Sequence, residues 1–337
     1  MKYKIAYINC FFGNFNNYFN LWIESAGVNS NIDFIIFTDN KIACSVPKNI
    51  HIFNCSFDDI VARIKKKYDF EISLEKPYRL CDFKIAYGDI FKNELQAYDF
   101  WGICDLDQVW GKIDDFITDD LLEKYMRIGF QGHSSIFRNC QEMNELYKES
   151  WNGELFYKKA FSEDKTHFFD EWASLKIMEE KGYPCYKVTN FANPTNLYWH
   201  FYLTHFDNEM DYKNKYQTFW WNRGRLFRIY IDKNGQKQCE EFMYIHLISR
   251  IMKNDLGQIQ DIDSFIITPD AFIEKNIFFD WKEIPTYFIK KVNKKSWVKY
   301  LMWWYTKEKS WINVLKYIVG TLRPRIKILY ENGKKII

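Results

Sequence analysis

The chain has no run of eighteen apolar residues. Its first residues, Met1-Lys2-Tyr3-Lys4-Ile5-Ala6, lack the apolar stretch and cleavage site of a secretory signal. The expectation is a cytoplasmic protein without a spanning helix. The eight cysteines, Cys10, Cys44, Cys55, Cys81, Cys104, Cys140, Cys185 and Cys239, form no Cys-x-x-Cys pair and no zinc spacing. They read as small buried hydrophobes in a reducing compartment. Net charge is only +3, too little to argue for a nucleic-acid partner. No internal repeat and no low-complexity linker is present.

What the chain does have is an apolar content of 47% over 337 residues, enough for a sizeable core in one large or two ordinary domains. Aromatic residues reach 20%, a level that fits sugar-stacking surfaces or membrane-interface contacts. An AT-rich coding sequence would also favour Phe, Tyr, Lys, Asn and Ile. The small net charge hides a split. Residues 286–337 hold thirteen Lys/Arg against two Asp/Glu, a net +11, which leaves −8 for the rest.

Apolar segments at Lys4–Phe12, Asp33–Phe37 and Ile50–Phe53 read as strands, with helices at about Tyr18–Ser25 and Phe57–Tyr68 between or after them. Strands and helices alternate, which predicts an α/β layer. Pro77 opens a helix whose apolar stripe, Leu80, Phe83, Tyr87, Ile90, Phe91 and Leu95, recurs at helical spacing. Arg79, Asp82 and Lys84 lie mainly off that stripe. Strands at Arg127–Gln131 and Ser135–Arg138 flank Gly132-His133, and Glu142–Trp151 reads as a helix. Thr166–Trp172 opens another helix, ending near Gly182. Phe191–Trp221 is aromatic and turn-rich, with no clear period. Arg225–Ile231, Asn234-Gly235 and Glu240–Ile245 read as a hairpin whose second arm leads to His246.

Phe100-Trp101-Gly102-Ile103-Cys104-Asp105-Leu106-Asp107 is the centre of this pattern. An unbroken apolar run fits a strand buried on both faces, ending in two carboxylates one residue apart. Residues i and i+2 share a side of an extended chain, so Asp105 and Asp107 can converge. In an open α/β sheet, ligands sit at the carboxyl ends of strands. Two hard oxygen ligands there suit Mn²⁺ or Mg²⁺. The plain alternative is a pair of solvated loop aspartates.

Phe34-Ile35-Ile36-Phe37-Thr38-Asp39-Asn40, the helix from Lys76 to Phe91 and the run Trp101 to Gly111 occur in the order seen in GT-A glycosyltransferases. The chain also resembles a family of bacterial surface-polysaccharide glycosyltransferases. The shared features are Lys76-Pro77-Tyr78-Arg79-Leu80-Cys81-Asp82-Phe83-Lys84 before Cys104-Asp105-Leu106-Asp107, then Gly132-His133, Arg138-Asn139, Asp170-Glu171-Trp172 and His246. The likeness spans roughly residues 3–250. It implies a GT-A fold, Rossmann-like with a mixed or parallel sheet and flanking helices, over 1–285. A basic aromatic helical tail follows at 286–337. It also implies transfer of a hexose from a nucleotide diphosphate sugar, UDP-linked in expectation, to a glycan or lipid-linked acceptor in surface-polysaccharide (capsule) synthesis.

By that resemblance Asp105, Asp107 and the late His246 would hold the metal. Thr38, Asp39 and Asn40 would bind nucleoside, unless they simply form a turn. Arg79 and Lys84 would reach phosphate oxygens, with Asp82 orienting one of them or the nucleotide, unless they form an ion-paired helix surface. Asp170 is the candidate base under inversion, with Glu171 in reserve; a plain helix N-cap is the alternative. A helix N-terminus lowers a carboxylate pKa, so Asp170 would need burial to act near neutrality. His133 could line the donor-sugar pocket or occupy a tight turn. Trp199, His200, His205, Trp220 and Trp221 read as core or as an acceptor platform. The tail interleaves Trp297, Trp303, Trp304 and Trp311 with lysines and arginines, the pattern of a helix on an anionic membrane surface, here the inner face of the plasma membrane, unless it is a helical lid on the body or an oligomer contact. A nucleotidyltransferase is the rival enzyme class. It usually carries a Gly-rich, cationic loop after the first strand, whereas Phe12-Gly13-Asn14-Phe15-Asn16-Asn17 has no cation. A non-catalytic glycan- or membrane-binding protein is the third reading.

Overall fold

The computed structural model describes residues 1–194, 201, 203, 217–232, 234–256 and 262–274. The basic tail at 286–337, its boundary with the body, and Trp199, His200 and His205 lie outside the described residues. The strands are β1 (Ile5–Cys10), β2 (Ile32–Thr38), β3 (Ile50–Asn54), β4 (Phe100–Cys104), β5 (Gln108–Trp110), β6 (Arg127–Gln131), β7 (Ser134–Arg138) and β8 (Cys185–Tyr186). After these come β9 (Phe191–Ala192), β10 (Gln217–Asn222), β11 (Arg225–Ile231), β12 (Lys237–Phe242), β13 (Tyr244–His246), β14 (Lys253–Asn254), β15 (Ser264–Ile267) and β16 (Ala271–Glu274).

Seven strands form the main sheet in the order β3-β2-β1-β4-β7-β6-β8. β3, β2, β1 and β4 run parallel, and β7 is antiparallel to β4. The chain winds outward from β1 to β3, then crosses back to lay β4 on the other side of β1. Open α/β sheets bind ligands at such a reversal, outside the carboxyl ends of the strands, and Asp105 emerges there. Both faces of the sheet are buried, as the unbroken apolar runs predict. Ile8, Ile35, Phe37, Trp101, Ile103 and Phe137 pack into one core; Tyr7, Phe34, Ile36, Phe100, Cys104 and Ile136 into the other. Helix α1 (Phe19–Gly27) covers the second face through Phe19, Trp22 and Ile23. Helix α2 (Phe57–Lys65) covers the first through Ile60 and Ile64, its start fixed by a capping box between Ser56 and Asp59.

Several expectations need correction. The helix from Pro77 to Leu95 is a series of short turns, 77–79, 80–83, 84–86, 87–90 and 92–95. Its stripe packs on the sheet as predicted. The opposite side is not a solvated surface, because Arg79 and Asp82 are buried beneath residues 160–169. The expected helix at Glu142–Trp151 shrinks to turns at Gln141–Asn144 and Leu146–Lys148. Of the cysteines only Cys104 is fully buried; Cys239 is exposed and the other six are intermediate.

A second sheet, β12-β11-β10-β15-β16-β14, has six strands and was not anticipated. It contains the expected hairpin, β11 and β12, closed at Gly235 with φ +77°. The second arm does not run straight to His246. It bends at Met243, and β13 joins a third sheet between β5 and β9. His246 thereby pairs with Gln108, the residue after Asp107. Trp221 is core and donates its indole N–H to the Trp110 carbonyl at 2.8 Å. Among the described residues no helix is long and apolar enough to cross a membrane.

Candidate functional site

Asp105 leaves β4 with its backbone fixed on both sides. Its N–H donates to the His133 carbonyl at 3.1 Å, and its carbonyl accepts the Trp22 indole N–H at 3.1 Å. Asp107 is held by the segment after β13. Its carbonyl accepts the Leu247 N–H at 2.8 Å, and its carboxylate accepts the Ser249 N–H at 2.5 Å and hydroxyl at 3.2 Å. Ile248 and Ser249 both have φ near +50°, a left-handed backbone rarely adopted by side chains of this kind, directly beside the cluster.

His246 Nε2 lies 3.2 Å from Asp107 Oδ1 and 3.7 Å from Asp105 Oδ2. One ligand atom from each of Asp105, Asp107 and His246 falls within 4.8 Å of the others. His246 Nδ1 sits 3.1 Å from Asn193 Oδ1, so the Nδ1–H tautomer donates there and turns the Nε2 lone pair toward the two acids. Two carboxylate oxygens and one imidazole nitrogen form a donor set that fits Mn²⁺ or Mg²⁺. The two acids also act on the His246 ring. Burial lowers its pKa, but Asp107 and Asp105 outweigh that and raise it.

Lys84 joins this cluster to a second pair of acids. Its Nζ donates to Asp105 Oδ1 at 2.5 Å and to the Gly132 carbonyl at 2.9 Å, and lies 3.6 Å from Asp170 Oδ2. Burial opposes its charge, but Asp105 and Asp170 hold it protonated. Asp170 is 4% exposed, within a π-helical turn at Phe169–Ala173. The residue before that turn is Phe168, so Asp170 is not the N-cap. Burial pushes its pKa up to about 8, against Lys84, with Glu171, Asp105 and Asp82 adding to the rise. The helix-terminus lowering expected from sequence is thus overridden by desolvation. Glu171 is raised for the same first reason.

Gly132 and His133 form the tight turn between β6 and β7, as the plainer sequence reading has it. His133 is 4% exposed, stacks on His246 with ring centroids 4.3 Å apart, and shares a 3.0 Å hydrogen bond with the Tyr244 hydroxyl. Burial, with His246 and Lys84 close by, keeps it neutral. Thr38, Asp39 and Asn40 lie at the carboxyl end of β2, two strands from β4 and hence about 10 Å away across the sheet. Asn40 Nδ2 ties Thr38 Oγ1 (3.0 Å) to the Gly13 carbonyl (2.7 Å), while Asp39 is exposed.

Arg79 and Asp82 are not brought into the cleft. The Arg79 guanidinium donates to Asp82 and to the carbonyls of Ala160, Glu163 and Lys165. A role at donor phosphate would require breaking those bonds, so that expectation is corrected. Sequence reasoning also missed Asn193, Ser249 and Arg127, which fix His246, Asp107 and the Asp170 carbonyl. Each acts on a partner more than forty residues away, and no local pattern marks it.

Fold and site together define a mixed α/β protein with a carboxylate–carboxylate–imidazole cluster at the reversal point of its main sheet. The chain belongs to a family of unknown function (DUF6625), matched over residues 7–276. No curated protein matches it. Among solved structures, the galactosyltransferase LgtC in complex with donor and acceptor sugar analogues aligns with 57% of this chain and 76% of its own, at 10% identity and a TM-score of 0.29. An active-site mutant of LgtC gives 9% identity over the same shares, with a TM-score of 0.32. The apo form of the glycosyltransferase GlyE from Streptococcus pneumoniae aligns over 55% of this chain and 45% of its own, at 10% identity and 0.27. Likenesses this low say nothing of activity.

Proposed function

We propose that the protein is a metal-dependent glycosyltransferase. It would move a hexose from a nucleotide diphosphate sugar, UDP-linked, to a hydroxyl of a glycan or lipid-linked oligosaccharide during surface-polysaccharide synthesis. The observation that carries this reading is the convergence of Asp105, Asp107 and His246 within 4.8 Å at the reversal point of the main sheet, with the buried Asp170 joined to them through Lys84. Mn²⁺ or Mg²⁺ held by the triad would neutralise charge developing on the departing diphosphate.

The chain's own residues supply the rest. Asp39 and Asn40 offer hydrogen bonds to the nucleoside at the end of β2, with the fully buried Thr38 holding Asn40 in place. Lys84 places a fixed ammonium beside the metal ligands, on the side facing Asp170. His133, buried and neutral, presents an uncharged wall beside His246. Asp170 takes the proton as the acceptor oxygen bonds to the anomeric carbon and the bond to the diphosphate breaks. A carboxylate with a pKa of about 8 is a much stronger base than a solvated one, and still ionises in part near neutrality. This role belongs to an inverting reaction, with Glu171 as the nearest substitute. The basic aromatic tail at 286–337 would hold the enzyme to anionic lipid at the inner face of the plasma membrane, near a lipid-linked acceptor.

The test is a panel of UDP-, GDP- and CDP-sugars with and without Mn²⁺, read by nucleotide release and by thermal shift. Mn²⁺-dependent stabilisation and turnover by a UDP-hexose is expected. Absence of both for every sugar nucleotide would overturn the proposal.

A further inference from the structure

Arg79 and Asp82 leave the cleft but not the site's architecture, because apart from the bond between them their side chains bond to residues 160–169, the segment that leads into Asp170. We infer that this buried pair is a positioning clamp, which sets the turn carrying the Asp170 carboxylate. The inference rests on Asp170 being the base proposed above.

The Asp82 carboxylate is fully buried. It accepts the N–H of His167 at 3.0 and 3.1 Å and the N–H of Phe169 at 3.1 Å. Between those two residues stands Phe168, at φ +53° and ψ +45°. A bulky residue in that region is strained. Phe168 is 45% exposed, so its side chain is only partly packed. One carboxylate therefore spans the strained residue and fixes both neighbours. The π-helical turn with Asp170 starts immediately after.

Arg79 anchors the same carboxylate and collects the approach to it. It donates to the carbonyls of Ala160 at 2.7 Å and Glu163 at 2.8 Å, and to that of Lys165. On the far side, Arg127 donates to the Asp170 carbonyl at 3.3 Å and to Ser174 Oγ at 2.9 Å. The backbone of Asp170 is thus held from both directions, and its carboxylate is pressed against Gly132. A phosphate contact for Arg79 would strand three carbonyls and set the Asp82 charge against the phosphate.

The experiment compares Asp82→Asn and Arg79→Lys with the wild type, using UDP-glucose and UDP-galactose with Mn²⁺. Active sites are counted by titration with UDP, so that an unfolded fraction does not enter kcat. The clamp predicts that kcat per counted site falls by about 10- to 100-fold, the scale of an ångström-sized misplacement, while donor KM and Mn²⁺ activation change less than about twofold. Amide exchange over 163–173 should quicken in both variants, with 100–110 unchanged. A rise in donor KM of tenfold or more with kcat held would mean that the pair binds donor, and would overturn the inference. So would a lowered melting temperature with wild-type kcat per site. If the wild type turns over no sugar nucleotide, the base assignment fails by itself. The exchange measurement still decides the clamp, and unchanged protection over 163–173 would overturn it.

Discussion

Gly132→Ala gives the sharpest single-atom test of where Asp170 works. A β-carbon at this position would stand 2.2 Å from Asp170 Oδ2, 2.7 Å from its Cγ and 3.1 Å from Glu171 Cγ. Ordinary contacts between such atoms begin at about 3.5 Å, so the carboxylate or the turn must move by about 1 Å. The backbone on both sides is held. Asp170 is gripped through its backbone by Arg127, and the Gly132 carbonyl takes a 2.9 Å hydrogen bond from Lys84. Overpacking of a close-packed site costs about 1–3 kcal/mol, which lowers the melting temperature by several degrees. A base displaced by about 1 Å loses roughly 100-fold in kcat. Mn²⁺ affinity should change little, because Asp105, Asp107 and His246 are not the atoms displaced. The assay is UDP release under saturating donor, beside a Mn²⁺ titration followed by thermal shift. Wild-type kcat in a folded Gly132→Ala protein would refute a catalytic position for Asp170.

Two further outcomes follow from the same geometry. Asp170 has a native pKa raised to about 8, above an unfolded value of about 3.9, so its contribution to stability is greatest below pH 4 and is lost as pH rises through 8. Metal-free Asp170→Asn should therefore gain in melting temperature over the wild type progressively from pH 5 to pH 9; parallel curves would contradict the burial of that charge. Asn193 orients His246 through a 3.1 Å contact, so Asn193→Ala should weaken Mn²⁺ binding by about 10- to 100-fold, and an unchanged affinity would remove His246 from the ligand set.

The main sheet was legible because strands buried on both faces write long apolar runs, and β1, β2 and β4 are such runs. Asp105 and Asp107 were legible because two carboxylates close one of them. Their reading as a metal-ligand pair rests on that i, i+2 spacing at a strand end, whereas His246 was added to it only through the resemblance. The bend at Met243 that moves β13 into another sheet leaves no period to detect, yet it delivers His246 to Asp107. The helical stripe from Leu80 to Leu95 was read correctly, and the burial of Arg79 and Asp82 on its other side was not. Local charge spacing looks the same whether a pair faces water or a strand of backbone carbonyls. The burial that Asp170 needs to act near neutrality is present, but a helix terminus can be inferred from neighbours in sequence, whereas desolvation depends on residues such as Gly132 and Arg127, which come from elsewhere.

The most direct measurement is Mn²⁺ binding by titration calorimetry, with and without UDP, to the wild type and to Asp105→Asn and Asp107→Asn. One Mn²⁺ per chain, bound more tightly when UDP is present and lost or weakened at least tenfold in both folded variants, is the expected result. Equal affinity in all three proteins, or no binding to the wild type even with UDP, would leave the triad without its metal and the proposed chemistry without its centre.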